Sequence, residues 1–171
     1  MMETFAVYWE PVIKTYGIDR KTGLSLVSLE IDPEDTGSLG DRFLEMAGFS
    51  PIPGAGSVLL FFARPLETGR LAIHLVADRK SAAWSLPSGD PHGAGPLRHG
   101  IRVVEPVELI CFQGPHYGDR YGIAAAALNA VANHGLSLLA TVCTGASIYL
   151  VAPEGTGPDI RLALSDAFVV P

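Results

Sequence analysis

Basic residues are scarce in this chain. Its 171 residues include 12 Lys and Arg against 18 Asp and Glu, a formal net charge of −6. The basic residues are scattered, whereas a nucleic-acid backbone is held by clustered Lys and Arg that displace counterions. Nucleic acid is therefore not an expected partner, and adsorption to an anionic membrane is disfavoured on the same ground. Cysteine is nearly missing as well. Cys111 and Cys143 each sit in an apolar, strand-like stretch, with no CxxC and no Cys/His spacing suited to zinc. They read as buried free thiols in a reducing compartment. No apolar run approaches the ~20 residues that cross a bilayer. The start, Met1-Met2-Glu3-Thr4, lacks the basic n-region and apolar block of a secretory signal. A cytoplasmic protein is expected. Among His74, His92, His99, His116 and His134 there is no i, i+4 pair and no H-E-x-x-H, so no metal site is expected. Gly54-Ala55-Gly56 precedes a strand rather than a helix and is not a dinucleotide turn. Neither a nucleophile elbow nor a phosphate loop is present, and no cofactor is expected.

What the chain has in plenty is apolar side chains. It is 48% hydrophobic and 18% charged, with a mean hydropathy of +0.29. That is a core-rich globular composition, with sheet buried on both faces or a subunit interface. Phe5–Trp9 reads as a short strand. Val12–Ile18, the polar turn Asp19–Gly23 and Leu24–Ile31 read as strand, turn, strand. Asp32–Ser38 is a loop in which Thr36 or Ser38 can cap a helix, and Leu39, Phe43, Leu44 and Ala47 then recur at helical spacing up to Gly48. Ser57–Ala63 and Arg70–Ala77 are strands around a turn at Pro65–Gly69.

From Ser81 to Gly100, Pro and Gly crowd the sequence, which excludes a long helix or a central strand. Patterning resumes with a strand over Val103–Phe112, interrupted at Pro106. A loop over Gln113–Gly122 and a helix over Ile123–Asn133 follow. Then come strands at Leu136–Cys143 and Ala146–Ala152, a helix capped by Asp159, and a last strand beginning at Val169-Val170. Each half thus runs strand, loop, helix ended by Gly, strand, turn, strand. This order predicts an α+β protein of two domains: residues 1–86, with an N-terminal strand or hairpin, and 103–171, joined by a linker at 87–102. The arrangement is the split βαβ, ferredoxin-like βαββαβ, with helices on one face of an antiparallel sheet.

The run Val107–Pro115, then Gly122-Ile123-Ala124-Ala125, then Leu128–Leu138, resembles the effector-binding ACT domains of aspartate kinases. Thr144-Gly145-Ala146-Ser147-Ile148-Tyr149-Leu150-Val151 is similar to the family's Ser/Gly-rich hairpin, and Arg161, Leu164 and Phe168 to its last helix. The resemblance covers about 60 residues of the second half, and the first half fits a degenerate copy. It implies tandem ACT domains joined side by side into a continuous sheet, with amino acids bound at the seam. It also implies a homodimer and a regulated protein partner. No kinase domain fits in 171 residues, so the resemblance carries regulation rather than phosphoryl transfer.

An amino acid's carboxylate suits the free N–H groups of a helix N-terminus. Gly114, Gly118 and Gly122 precede the second-half helix, and Gly37 and Gly40 the first-half one. The ammonium wants carboxylates, for which Asp119, Asp32 and Asp35 are placed, with Thr36 beside the latter. Strand edges at Leu136-Ser137 and from Ser57 would complete the site. The resemblance maps Gln113, Gly114, Asp119, Tyr121, Gly122 and Ile123 onto the family's loop and helix start. His116, Tyr117, Arg120 and Tyr121 are bulky for that loop, and either line a pocket for a larger ligand or fill it. Two other readings stand beside the sensor. One is a dimerisation module whose pocket is filled by Tyr117 and Tyr121. The other is an enzyme using His116, Asp119 and Arg120.

Overall fold

The computed structural model describes residues 12–36, 58–79 and 101–170. The expected strand Phe5–Trp9, the helix Leu39–Gly48, both tryptophans, Gly37, Ser57 and nearly all of the 87–102 segment lie outside the described residues. The chain is a mixed α/β protein with antiparallel sheet and, among the described residues, two α-helices. It divides into two compact units, residues 23–107 and residues 1–22 together with 108–171.

In the first of these, β2 (Gly17–Ile31), β3 (Val58–Pro65) and β4 (Leu71–Asp78) form an antiparallel array in the order β3-β4-β2. Leu24 pairs with Asp78 through to Ile31 with Leu71, and Phe62 pairs with His74. Alternation sends Val27, Leu29 and Ile31 with their partners Leu75 and Ile73, and Ala77, to one face, where Val27, Leu75 and Ala77 cluster with Val58 and Val103, and Leu29, Ile31 and Ile73 form a second cluster. Ser28 shares a 2.9 Å hydrogen bond with His74, whose ring stacks on Phe62. Pro33–Asp35 is a 3-10 turn after β2.

The expected turn at Asp19–Gly23 is not a turn. The chain stays extended through it, and β2 is a single strand of 15 residues. Gly23, at φ +70°, absorbs the local irregularity that an L-residue would resist. The polar run is explained by exposure: Asp19, Arg20, Lys21 and Thr22 all face solvent.

The other unit holds β1 (Ile13–Lys14), β5 (Ile101–Gln113) from Glu108 onward, α1 (Ile123–Asn133), β6 (Ala140–Cys143), β7 (Ser147–Pro153), α2 (Gly157–Ser165) and β8 (Phe168–Val169). β5, β7 and β6 are neighbours in that order, β6 and β7 being antiparallel, while β1 and β8 pair parallel as a separate ribbon. Residues 12–22 thus pack with the second half of the chain. Thr15 N–H donates to the Val169 carbonyl at 2.9 Å, and the Thr15 hydroxyl and the Tyr16 N–H both donate to the Gln113 carbonyl at 2.7 and 2.8 Å.

The core of this unit follows from period. Ile110 and Phe112 on β5 and Ile148, Leu150 and Ala152 on β7 are two apart. Ile123, Ala127 and Val131 on α1, and Ile160 and Leu164 on α2, are four apart. All are buried in one cluster with Tyr117 and Phe168, so both helices lie on the same face of the sheet. Phe112 meets Phe168 edge-on at 5.0 Å between centroids, and Tyr117 packs edge-on to Phe112 at 6.3 Å. Burying side chains of this size contributes roughly 1.5–3 kcal/mol each. The second-half strand expected from Leu136 starts only at Ala140, because Leu136 instead closes α1: its N–H donates to the Val131 carbonyl beside Gly135, at φ +67°. Helix α2 begins at Gly157 rather than being capped by Asp159, which lies in its first turn. The closing strand, β8, begins at Phe168.

Candidate ligand-binding site

The loop Gly114–Gly122 connects β5 to α1, and its shape is dictated by two close approaches. Tyr117 folds its ring back into the core, against Phe112 and Phe168. This is possible because residue 114 is glycine. A Cβ there would collide with the Lys14 carbonyl and the Tyr117 ring. His116 holds φ +62°, and Asp119 N–H donates to its carbonyl at 3.1 Å, closing a tight turn. Gly122 at φ +86° then hands the chain to α1, with its carbonyl accepting from Ala126 N–H.

That helix starts without a side-chain cap and without an acidic residue in its first turn. The first N–H groups of a helix have no partner within it, and they carry the positive end of its dipole. Gly122, Ile123 and Ala124 at this end line a cavity of about 210 Å³ together with Tyr117, Arg120, Tyr121, Cys143, Thr144 and Ile148. Two elements therefore build it, the loop with the start of α1 and the hairpin between β6 and β7. The hairpin end is held by Thr144, whose hydroxyl accepts from Ser147 N–H at 3.1 Å. Partial desolvation pushes the Tyr117 phenol and the Cys143 thiol above their ordinary values, so both are neutral wall groups at neutral pH, Cys143 being exposed rather than the buried thiol expected. Arg120, one of whose guanidinium nitrogens donates to the Val12 carbonyl at 3.1 Å, is the formally charged member of the lining.

Of the residues singled out from the sequence, Tyr117, Arg120, Tyr121, Gly122 and Ile123 line this cavity, with Tyr121 95% exposed at its rim. Gln113, Gly114, His116 and Asp119 shape the loop but are not in the lining. Gln113 spends its carbonyl on Thr15 and Tyr16, and Asp119, 71% exposed, lies 3.6 Å from the His116 ring. Leu136 packs into the core, and Ser137 is exposed. In the other unit, Asp32 sits 3.6 Å from Arg70, which also bonds Glu30 at 2.9 Å. Thr36 donates its hydroxyl to the Pro33 carbonyl, and Asp35 belongs to the same 3-10 turn. Sequence reasoning missed Ala124, Cys143, Thr144 and Ile148. The signal available was the Thr-Gly-Ala-Ser hairpin, whose turn delivers Thr144 and Ile148 opposite the helix start.

It also missed Glu108. This carboxylate is 0% exposed. It accepts from Arg20 Nε and Nη2 at 3.0 and 2.6 Å, from Gly155 N–H at 2.7 Å and from Gly157 N–H at 2.8 Å. The hydrogen bond from Arg20, aided by the N–H groups of Gly155 and Gly157, holds its pKa below the ordinary carboxylate value in spite of burial. Glu108 caps α2 from a distance and ties it to β2 and β5. The clue was a charge in register with Ile110 and Phe112 on the buried face of a strand.

No protein-family model matches the sequence, and no curated protein matches it either. Solved structures do match by fold. The regulatory subunit of aspartate kinase from Thermus flavus superposes with a TM-score of 0.71 at 15% identity, over 90% of this chain and 98% of that one. The fold is that of an aspartate kinase regulatory subunit. Aspartate kinase from Synechocystis gives 0.72 at 16% identity over 93% of this chain but 27% of its own. E. coli aspartokinase III in complex with lysine and aspartate gives 0.57 at 12% identity, over 95% of this chain and 35% of that one. The likeness is thus to the regulatory part, and among the described residues no group of three or more His, Cys, Asp or Glu that could hold a metal ion is found. Nor does any described helix have the length and apolarity to cross a membrane.

Gly122 holds a backbone conformation that glycine adopts freely and an L-residue does not. Gly122→Ala puts an L-residue at φ +86° with open space around its Cβ. The cost is backbone strain alone, about 1 kcal/mol, read as a lowered urea midpoint with an unchanged slope.

Proposed function

We propose that the protein is a regulatory module that binds a small-molecule effector, an amino acid or related organic acid, at the start of α1. The bound state is passed to a protein partner. The observation that carries this reading is the cavity against an uncapped helix N-terminus, with Arg120 in its wall. The likeness to aspartate kinase regulatory subunits, and the lysine and aspartate bound by aspartokinase III, support it. On this reading the chain is regulatory rather than catalytic. It acts in the cytoplasm as a homodimer, each unit an ACT-type domain of ferredoxin-like descent. Control works by population shift: the ligand favours whichever conformation binds it better, by no more than its differential affinity.

The dimerisation-module reading needs Tyr117 and Tyr121 to fill the space beside Gly122. Tyr117 is in the core and Tyr121 projects outward, leaving a cavity between them, which weighs against it. An enzyme built on His116, Asp119 and Arg120 has only Arg120 at the cavity. The test is a thermal-shift and calorimetry screen of the twenty amino acids and their deaminated counterparts. Saturable binding with a raised Tm is expected for at least one compound. If no compound shifts Tm or gives heat, the effector reading fails.

A further inference from the structure

The loop that shapes the cavity is held at both ends by one short segment, Val12–Tyr16, which contains β1. At the loop's entry, the Gln113 carbonyl accepts from the Thr15 hydroxyl at 2.7 Å and from the Tyr16 N–H at 2.8 Å. One residue on, the Lys14 carbonyl lies where a side chain at residue 114 would begin, so segment and loop touch backbone to backbone. Near the loop's end, Arg120 lines the cavity and donates from Nη1 to the Val12 carbonyl at 3.1 Å. A guanidinium is a planar fork of donors, so a single bond to Val12 orients the whole group at the cavity wall.

On its other side the segment is lightly tethered. β1 pairs with β8 over two residues, Ile13 with Phe168 and Lys14 with Val169. Thr15 is buried, and its N–H donates to the Val169 carbonyl at 2.9 Å. Ile13 packs partly buried against the core, while Val12, Lys14 and Tyr16 are exposed. Elements this short open locally at far less cost than the whole domain, which gives the segment two accessible states, docked and released.

We infer that Val12–Tyr16 is the moving element of the regulatory module. Docked, it sets the loop and Arg120 in the position that forms the cavity, and an effector held by Arg120 keeps it docked. The inference rests on the effector reading above and names the part that the effector controls. The coupling is reciprocal: whatever factor the ligand adds to docking, docking adds to ligand affinity. Its size is set by the contacts that segment and loop share, and one hydrogen bond is worth roughly a two- to tenfold change in an equilibrium.

The experiment follows amide hydrogen exchange of the full chain by NMR, with Thr15 and Tyr16 as reporters of docking and Leu150 on β7 and Ile160 on α2 as references. Arg120→Met keeps an unbranched apolar stem and removes the donors. It should speed exchange at Thr15 and Tyr16 about two- to tenfold and leave the references unchanged. Arg120→Lys, which keeps a donor, should speed it less. The ligand arm uses lysine and aspartate as first probes, then the other amino acids and their deaminated counterparts. A compound that binds should slow exchange at Thr15 and Tyr16 in wild type, and slow it less in Arg120→Met. Thr15→Val keeps the shape of a residue outside the cavity lining and removes its hydroxyl, and it should weaken that compound by roughly the factor of one hydrogen bond. Unchanged exchange in Arg120→Met overturns the inference whether or not anything binds. A compound that binds without slowing Thr15 and Tyr16, or that binds Thr15→Val as tightly as wild type, overturns it and leaves the effector reading standing. If no compound binds at all, the effector reading fails and the inference falls with it.

Discussion

Replacing Glu108 with alanine is expected to lower the unfolding free energy by about 3 kcal/mol, several times the effect of an ordinary surface change. The loss is not that of one ion pair. Two backbone N–H groups, of Gly155 and Gly157, lose their acceptor at the entrance to α2, and Arg20 loses its partner. The Gly157 N–H is buried, and an unsatisfied buried donor costs roughly 1–3 kcal/mol, whereas Gly155 is exposed and its N–H can turn to water. Arg20 is partly exposed and rehydrates, which places the total at the low end for a broken buried pair. Glu108→Gln keeps the volume but turns an NH2 group toward donors, so it should recover little of the loss. The same contact predicts an acid limb. The folded-state pKa of Glu108 is shifted down from an unfolded value near 4.5, so its stabilisation is complete above that pH. It is lost as the pH falls through the lower folded value. Urea midpoints measured from pH 7 down to pH 3 should fall more steeply for wild type than for Glu108→Gln. Parallel slopes would show that the carboxylate charge contributes nothing.

Gly114→Ala is expected to be about as severe, near 3 kcal/mol, through overpacking rather than lost bonding. The added methyl meets the Lys14 carbonyl and the Tyr117 ring. Neither yields easily: Lys14 is paired with Val169 on β8, and Tyr117 is wedged among Phe112 and Phe168. Because Tyr117 also forms a wall of the cavity, ligand binding should weaken along with stability. Gly145→Ala is the matched control. Its Cβ meets open space, and a change within about 0.5 kcal/mol is expected. Equal Tm values for Gly114→Ala and Gly145→Ala would show that the loop relaxes around the extra atom.

Where local pattern and tertiary demand agree, the sequence was readable. Ile123–Asn133 is an example: four-residue spacing of Ile123, Ala127 and Val131, a glycine at each end and nothing in between to break it. The strands of the hairpin 58–78 and β7 were readable for the same reason, being short apolar runs bounded by turn residues. Asp19–Gly23 misled because its composition is that of a turn, while solvent exposure, not a reversal of direction, accounts for it. The pairing of β1 with β8 joins residues some 150 positions apart, and no local pattern encodes such a partner. The site was half legible. Helix-start chemistry pointed to Gly122 and Ile123, but which loop side chains turn inward is set by packing. Tyr117 is drawn into the core, Asp119 is left outside, and Arg120 reaches the cavity.

The central claim, that a small-molecule effector binds at the start of α1, is tested most directly by amide chemical-shift mapping of the full chain during titration with the amino acids and their deaminated counterparts. The account predicts saturable shifts concentrated at Arg120, Ile123, Ala124 and Thr144, with Gly155–Ile160 at the start of α2 unmoved. No saturable shifts with any compound, or shifts centred away from the Gly122 end of α1, would contradict it.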